Sequence, residues 1–392
     1  MSAPLDKLTI EGFKSIRKLE DFELRALNVL IGANGAGKSN FVQFFRLLRE
    51  LIERRLQLAV QTAGGADACL YLGPKVTTTL VAKLCSGAFG YRFTLVPTAD
   101  NRLVFADEEV LENGAWIPYG SGQAEAKITE TNSLAALAFL HHAASGWVAY
   151  HFHDTSDTAG VRRQGQINDH EYLRADGGNL AAFLRRISLT NPTDYARIRD
   201  VVRLAAPFFN DFKLHPVPWN PDMIQLEWRQ KGSDYPLRAS QLSDGTLRFI
   251  CLATALLQPE RPPTMLFDEP ELGLHPYALA LLASLFQQAA EQSGTHATRQ
   301  VIVSTQSAPL VSEFAPEDII VVERTRGESV FRRLESTQLA GWLEDYTLGQ
   351  LWEKNVLGGG PRNERMPLPS DGDRGANPTR EKDESSAGDE RS

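Results

Sequence analysis

Gly32-Ala33-Asn34-Gly35-Ala36-Gly37-Lys38-Ser39 is the stretch whose reading decides the fold. It matches GxxxxGK[ST], the Walker A phosphate loop. The apolar run Leu27–Ile31 before it predicts a short buried strand. After it, Phe41, Phe44, Phe45, Leu47, Leu48, Leu51 and Ile52 recur at helical spacing and predict a helix reaching about Leu58. Strand, glycine loop and helix are the setting a phosphate loop needs. The glycines let the backbone curl so that N–H groups face phosphate oxygens, and the helix adds its positive end. Lys38 is placed to reach the β- and γ-phosphates of a nucleotide, and the Ser39 hydroxyl to ligate Mg²⁺. Gly32, Ala33, Asn34, Gly35, Ala36, Gly37, Lys38, Ser39 and the following Asn40 are the candidate nucleotide-binding residues.

Outward from the loop, residues 5–11 alternate polar and apolar and predict a strand, with a turn at Gly12 and Phe13 and a second strand over 16–24. Short alternating runs at 77–84, 91–96, 102–105 and 116–119 predict an antiparallel sheet. Residues 133–209 read as mainly helical, with Asn179 as the cap of a helix beginning there. Strand character returns over 215–236. The last third has a βαβ rhythm: helix 247–257, buried strand Thr264–Asp268, helix 278–290, then strands at 300–304, 319–323 and 330–334, and a helix near 338–354. That rhythm implies a largely parallel sheet in an α/β fold. The expected organisation is an N-terminal lobe over 1–120, an inserted mainly helical region over 121–236, a C-terminal lobe over 237–357 and a disordered tail over 358–392, which is rich in Gly, Pro, Ser and mixed charge. No internal repeat and no sustained heptad pattern occurs.

Two further motifs carry chemistry. In Thr264-Met265-Leu266-Phe267-Asp268-Glu269-Pro270 an apolar strand delivers two carboxylates at its carboxyl end, where open α/β sheets place ligands. Asp268 suits Mg²⁺, and Glu269 suits polarising a water that attacks the γ-phosphate. Gln241-Leu242-Ser243-Asp244-Gly245-Thr246 opens a helix with small and hydroxylated residues that leave N–H groups for an anion.

Composition bounds the rest. With 392 residues, 42% hydrophobic and 23% charged, the chain is globular and long enough for two lobes. Its three cysteines stand far apart, which excludes a disulfide scaffold and suits a reducing cytoplasm. No run of about 18 apolar residues predicts a membrane span, and the N-terminus lacks a signal core. A net charge of −8 excludes a uniformly basic nucleic-acid binder, not a local basic patch.

Taken in order, these motifs resemble ABC-class ATPases. Leu242-Ser243-Asp244-Gly245-Thr246 resembles their signature in the SMC and RecF-like branch, and the joined Walker B and D-loop around Asp268–His275 is similar to that branch. So are the opening hairpin with its phosphate loop and residues 172–184. The likeness runs from the start of the chain to about Glu323 and points to stand-alone, RecF-like bacterial ATPases of the AAA_21 type. It implies a P-loop NTPase fold: an ABC-type ATPase head with a mixed sheet, an antiparallel β subdomain and an inserted helical region. It also implies ATP and Mg²⁺ as cofactors and a homodimer closed by ATP. Ser243 and Gly245 would then complete a partner copy's site, Leu272 to His275 would form the D-loop at the interface, and Lys14 and Ser15 would approach the nucleotide from the hairpin. The implied output is DNA repair, recombination or defence against phage, with DNA and a separately encoded effector such as a nuclease as candidate partners.

Two departures stand out. Gln306 occupies the switch position, usually histidine in this branch; a glutamine hydrogen-bonds phosphate or water but cannot take on a proton. No glutamine follows the Walker A helix at the Q-loop spacing, Gln57 and Gln61 being poorly placed. Long SMC arms and an appended Toprim nuclease are absent. A nucleotide-gated scaffold for a separate effector, with slow or partner-dependent hydrolysis, is the alternative. A transporter engine fits the soluble-branch motifs poorly, and a GTPase lacks its NKxD motif. His141, His142, His151, His153 and Asp154 fit no zinc spacing. Arg162, Arg163, Arg185 and Arg186 read more readily as solvated than as DNA-binding. Phe44, Phe45, Phe208, Phe209 and Phe212 read as core.

Overall fold

The computed structural model describes residues 5–360 except 88, 113, 132, 134–135, 137–145 and 291–298. His141, His142 and the tail beyond 360 lie outside the described residues. In chain order the strands are β1 (Lys7–Phe13), β2 (Ile16–Glu23), β3 (Leu27–Ile31), β4 (Leu80–Ser86), β5 (Phe89–Pro97), β6 (Leu103–Glu112), β7 (Ala115–Gly120), β8 (Trp147–Tyr150), β9 (Gly165–Gln166) and β10 (Phe209–Lys213). They continue with β11 (Pro216–Val217), β12 (Asn220–Ile224), β13 (Glu227–Gln230), β14 (Pro236–Arg238), β15 (Thr264–Asp268), β16 (Gln300–Thr305), β17 (Ile319–Thr325) and β18 (Glu328–Arg333).

Two six-stranded sheets dominate. The central one has the order β18-β17-β3-β16-β15-β8, parallel except for the edge strand β18. Its inner strands are mostly apolar because both faces are covered. Alternation within them assigns the faces. Leu27, Val29, Ile31, Met265, Phe267, Val301 and Val303 point into one core with the helices Asp244–Leu257 and Pro276–Ala290. Leu30, Leu266, Ile302, Ile320 and Val322 point into the other, against the helix Lys38–Ile52 and the second sheet. Asn28, buried in the middle of β3, is satisfied by Arg25 and Arg333: its side chain donates to the Arg25 carbonyl at 2.6 Å and accepts from Arg333 at 2.7 Å.

The second sheet is antiparallel, order β2-β1-β4-β5-β6-β7, so the N-terminal hairpin and the runs after residue 77 form one surface. Two three-stranded sheets, β10-β13-β14 and β11-β12-β9, fill out the middle of the chain.

Three sequence readings need correction. The described residues of 121–236 are not mainly helical: beside the helices Leu180–Thr190 and Pro192–Ala205 they carry β8 to β14. Trp147-Val148-Ala149-Tyr150 pairs in parallel with β15, and a four-residue run next to a buried strand leaves no period to detect. Asn179 sits at the helix N-cap position without capping it; its side chain instead accepts from Arg174 N–H at 2.9 Å and donates to the Tyr172 carbonyl at 2.8 Å. Phe208 is 44% exposed, its ring edge-on to Trp228, whereas the other phenylalanines of that group are core.

Candidate nucleotide site

The phosphate loop leaves the carboxyl end of β3 and enters the helix at Lys38, as a buried strand and an amphipathic helix dictate. Gly37 has φ +114°, and a β-carbon built on it would lie 2.0 Å from Ser329 Oγ and 2.8 Å from Ser15 Oγ, so no other residue fits. Those two hydroxyls brace the loop from behind. Ser329 donates to the Ala36 carbonyl at 2.6 Å and contacts Ser15 Oγ at 2.7 Å, and Asn40 donates to Ser15 at 2.7 Å. Ala33 N–H donates to the Gly359 carbonyl at 2.7 Å, and Gly359 N–H to Glu323 at 2.9 Å. Gly358 and Gly359, placed by composition in a disordered tail, are therefore anchored; their flexibility is what lets the chain cross the loop so closely.

Lys38 is buried, and its ammonium donates to the Gly32 and Ala33 carbonyls at 2.6 and 3.2 Å. Burial lowers its pKa, while Glu269, Asp268 and Glu271 oppose that shift. Parallel pairing of β15 with β16 sets Asp268 opposite Ser304, whose hydroxyl donates to the carboxylate. The same Asp268 oxygen is 3.4 Å from Ser39 Oγ. Carboxylate and hydroxyl oxygens are the donors a hard Mg²⁺ ion takes, with its remaining positions left to water and phosphate. Among the described residues no group of three or more His, Cys, Asp or Glu is placed to hold a metal ion.

Glu269 adopts φ +44°, held by its N–H on the Ser304 carbonyl at 2.8 Å. The Gln306 side-chain amide donates to its carboxylate, and Gln306 N–H donates to Glu271 at 2.7 Å. Burial pushes the Glu271 carboxyl up from its ordinary value. Phosphate loop, Glu269 and Gln306 thus line one cleft of about 180 Å³, together with Arg324, which donates to the Gly35 carbonyl at 3.2 Å.

The AAA_21 family model, described as "AAA domain, putative AbiEii toxin, Type IV TA system", matches residues 27–82 and 134–313, more than half of the chain. The chain belongs to the AAA_21 family. Its fold is that of SMC-like, ABC-type ATPase heads. The SMC head bound to the C-terminal winged-helix domain of ScpA is 16% identical, with TM-score 0.55 over 85% of this chain and 99% of that one. An SMC head with an extended coiled coil bound to the C-terminal domain of ScpA, derived from Pyrococcus furiosus, is also 16% identical, with TM-score 0.53 over 88% and 99%. No curated protein matches.

In this AAA_21 chain the signature residues stand outside the cleft. Ser243 is exposed and caps the helix Asp244–Leu257, accepting from Thr246 N–H at 3.2 Å. Gly245 packs on the D-loop, where a β-carbon would come within 2.1 Å of the Gly273 carbonyl. Arg248, one turn on, is buried and donates to the carbonyls of Phe152 at 2.8 Å, His153 at 3.1 Å and Leu272. Arg162 is spent locally: it pairs with Asp244 at 2.7 Å and donates to the Leu242 and Ala239 carbonyls. Its guanidinium holds the Asp244 carboxyl below the usual range. Lys14 does not line the cleft; its ammonium donates to Gln43. Gln57 donates to the Leu103 and Ala124 carbonyls, far from a sensor role. Sequence reading missed Arg324 and Ser329, and it weighed His153 only as a metal ligand. His153 follows β8, beside Walker B, and its Nε2 lies 2.7 Å from the Asp268 carbonyl; locating β8 would have drawn attention to it.

Proposed function

We propose that the chain binds ATP with Mg²⁺, closes as a sandwich of two copies around two nucleotides, and reopens when ATP is hydrolysed. One observation carries this reading. Lys38, Ser39, Glu269 and Gln306 line one cleft, with Asp268 3.4 Å from Ser39, while Ser243 and Gly245 lie at a helix start outside it. A second copy is the natural source of the missing signature. On this reading Lys38 releases its loop carbonyls for the β- and γ-phosphates, helped by the N–H groups of Gly32 to Asn40. Ser39 and Asp268 hold Mg²⁺, which neutralises phosphate charge when bound. Glu269 accepts a proton from the attacking water, and Gln306 orients the water or the γ-phosphate. Lys14 would reach the nucleotide by giving up Gln43.

The pathway proposed is DNA repair, recombination or anti-phage defence in the cytoplasm, with DNA and a separately encoded partner such as a nuclease. The bound ScpA domain of the solved SMC heads supports docking of a separate partner. ATP turnover and light scattering of wild type and Glu269→Gln test the clamp. Turnover should fall at least about 100-fold while an ATP-bound dimer accumulates. A variant that stays monomeric with ATP sinks the reading. Gln306 favours a second reading, a nucleotide-gated scaffold with slow or partner-dependent hydrolysis, because an amide takes no proton. Brisk turnover by the isolated protein would count against it.

A further inference from the structure

A second cavity, of about 980 Å³, shares no lining residue with the nucleotide cleft. It is bounded by the end of the helix Lys38–Ile52, by β8 and by the loops 171–175 and 258–263. Six arginines line it, Arg49, Arg55, Arg174, Arg186, Arg261 and Arg299, against three glutamates. Four of the six are paired: Arg49 with Glu53 at 2.8 Å, Arg55 with Glu50 at 2.7 Å, Arg174 with Asp169 at 2.9 Å and Arg186 with Glu260 at 3.1 Å. Arg261 differs. Its Nε is buried and has no hydrogen-bond partner among the described residues. Burial and the like charges of Arg299 and Arg197 hold its pKa below the ordinary value, with the Asp194 carboxylate opposing them. Crowded, half-buried cations cost folding free energy unless an anion neutralises them. The whole chain carries −8, so this attraction is local. At the rim Tyr172 is 64% exposed and offers an aromatic face.

Cations spread over several elements, an open cavity and an exposed ring match a phosphate chain carrying bases better than one compact anion. We propose that this cavity binds a single-stranded nucleic acid, with Arg261 and Arg299 on successive phosphates and Tyr172 stacked on a base. The site rests on the proposed reading of DNA as a partner and stands on different residues from the nucleotide cleft.

The test is fluorescence anisotropy with a labelled oligothymidylate of about a dozen residues, on the full chain without ATP. Binding should weaken as salt rises from about 50 to 200 mM, and Arg261→Ala with Arg299→Ala should reduce the salt slope by about 1.4, the value for two single-strand phosphate contacts. Tyr172→Ala should weaken binding by about 5-fold or more. Arg17→Ala, at the exposed hairpin, should leave binding unchanged, and because the assay contains no ATP, failure here is separable from failure of the clamp. The arginine variants should melt no lower than wild type, since they relieve crowding. Absent binding, an unchanged slope, or displacement by tripolyphosphate with Tyr172→Ala silent overturns the proposal.

Discussion

Lys38 donates to the Gly32 and Ala33 carbonyls, and on the proposed reading its ammonium would exchange these two carbonyl dipoles for phosphate oxygens. Lys38→Ala should therefore lose ATP binding by at least about 10-fold, measured by fluorescent-nucleotide titration; unchanged affinity would sink the assignment. Glu271 gives a pH prediction. Burial raises its pKa from 4.5, so the folded protein holds the proton more tightly than the unfolded chain does. Its contribution to stability is complete below that ordinary value and is lost as pH climbs through the raised one. Glu271→Gln keeps an acceptor for Gln306 N–H and removes that decline. The melting temperature of the variant relative to wild type should rise between pH 4.5 and the alkaline side of the raised value; a flat difference would exclude the effect. Lys38, Ser39, Asp268 and Glu269 were all legible because each follows a motif. Arg324 and Ser329 were not, because β17 and β18 bring them to the loop from nearly three hundred residues away in sequence and no local pattern marks the meeting.

At the scale of elements, the helix Asp244–Leu257 and the loop around Gly273 pack together. Gly245 against Gly273 and Arg248 on the Leu272 carbonyl join them, and Arg248 also grips the end of β8. Arg248→Ala leaves three carbonyls without that donor and should destabilise the fold by about 3 kcal/mol, read by denaturant unfolding. Ser243→Ala should cost about 1 kcal/mol through its lost cap. If Ser243→Ala costs as much as Arg248→Ala, the helix start is more than a cap. Long elements such as Lys38–Ile52 and Asp244–Leu257 were readable because their apolar period persists over several turns. β8 was not, since a run of four residues, three of them buried, is too short to show a period. The polar loop before Leu180 misled for another reason: Asn179 has the right residue type for a cap but spends its side chain on the loop behind it.

Over the whole molecule, β3 lies between β16 and β17, so the Walker A strand is completed only by segments from the far end of the chain. Gly359 extends the same dependence to the edge of the described residues, bonding Ala33 in the loop. A chain ending at Leu357 should bind ATP more weakly than one ending at Gly360, compared by nucleotide titration; equal affinities would show that the tie is incidental. No described helix is long and apolar enough to cross a membrane. The late arrival of β16, β17 and Gly359 has a consequence for synthesis. A nascent polypeptide displays its Walker A sequence early, yet the pocket wall emerges from the ribosome last. On the proposed reading, products of premature termination would carry the motif without the grip that ATP needs.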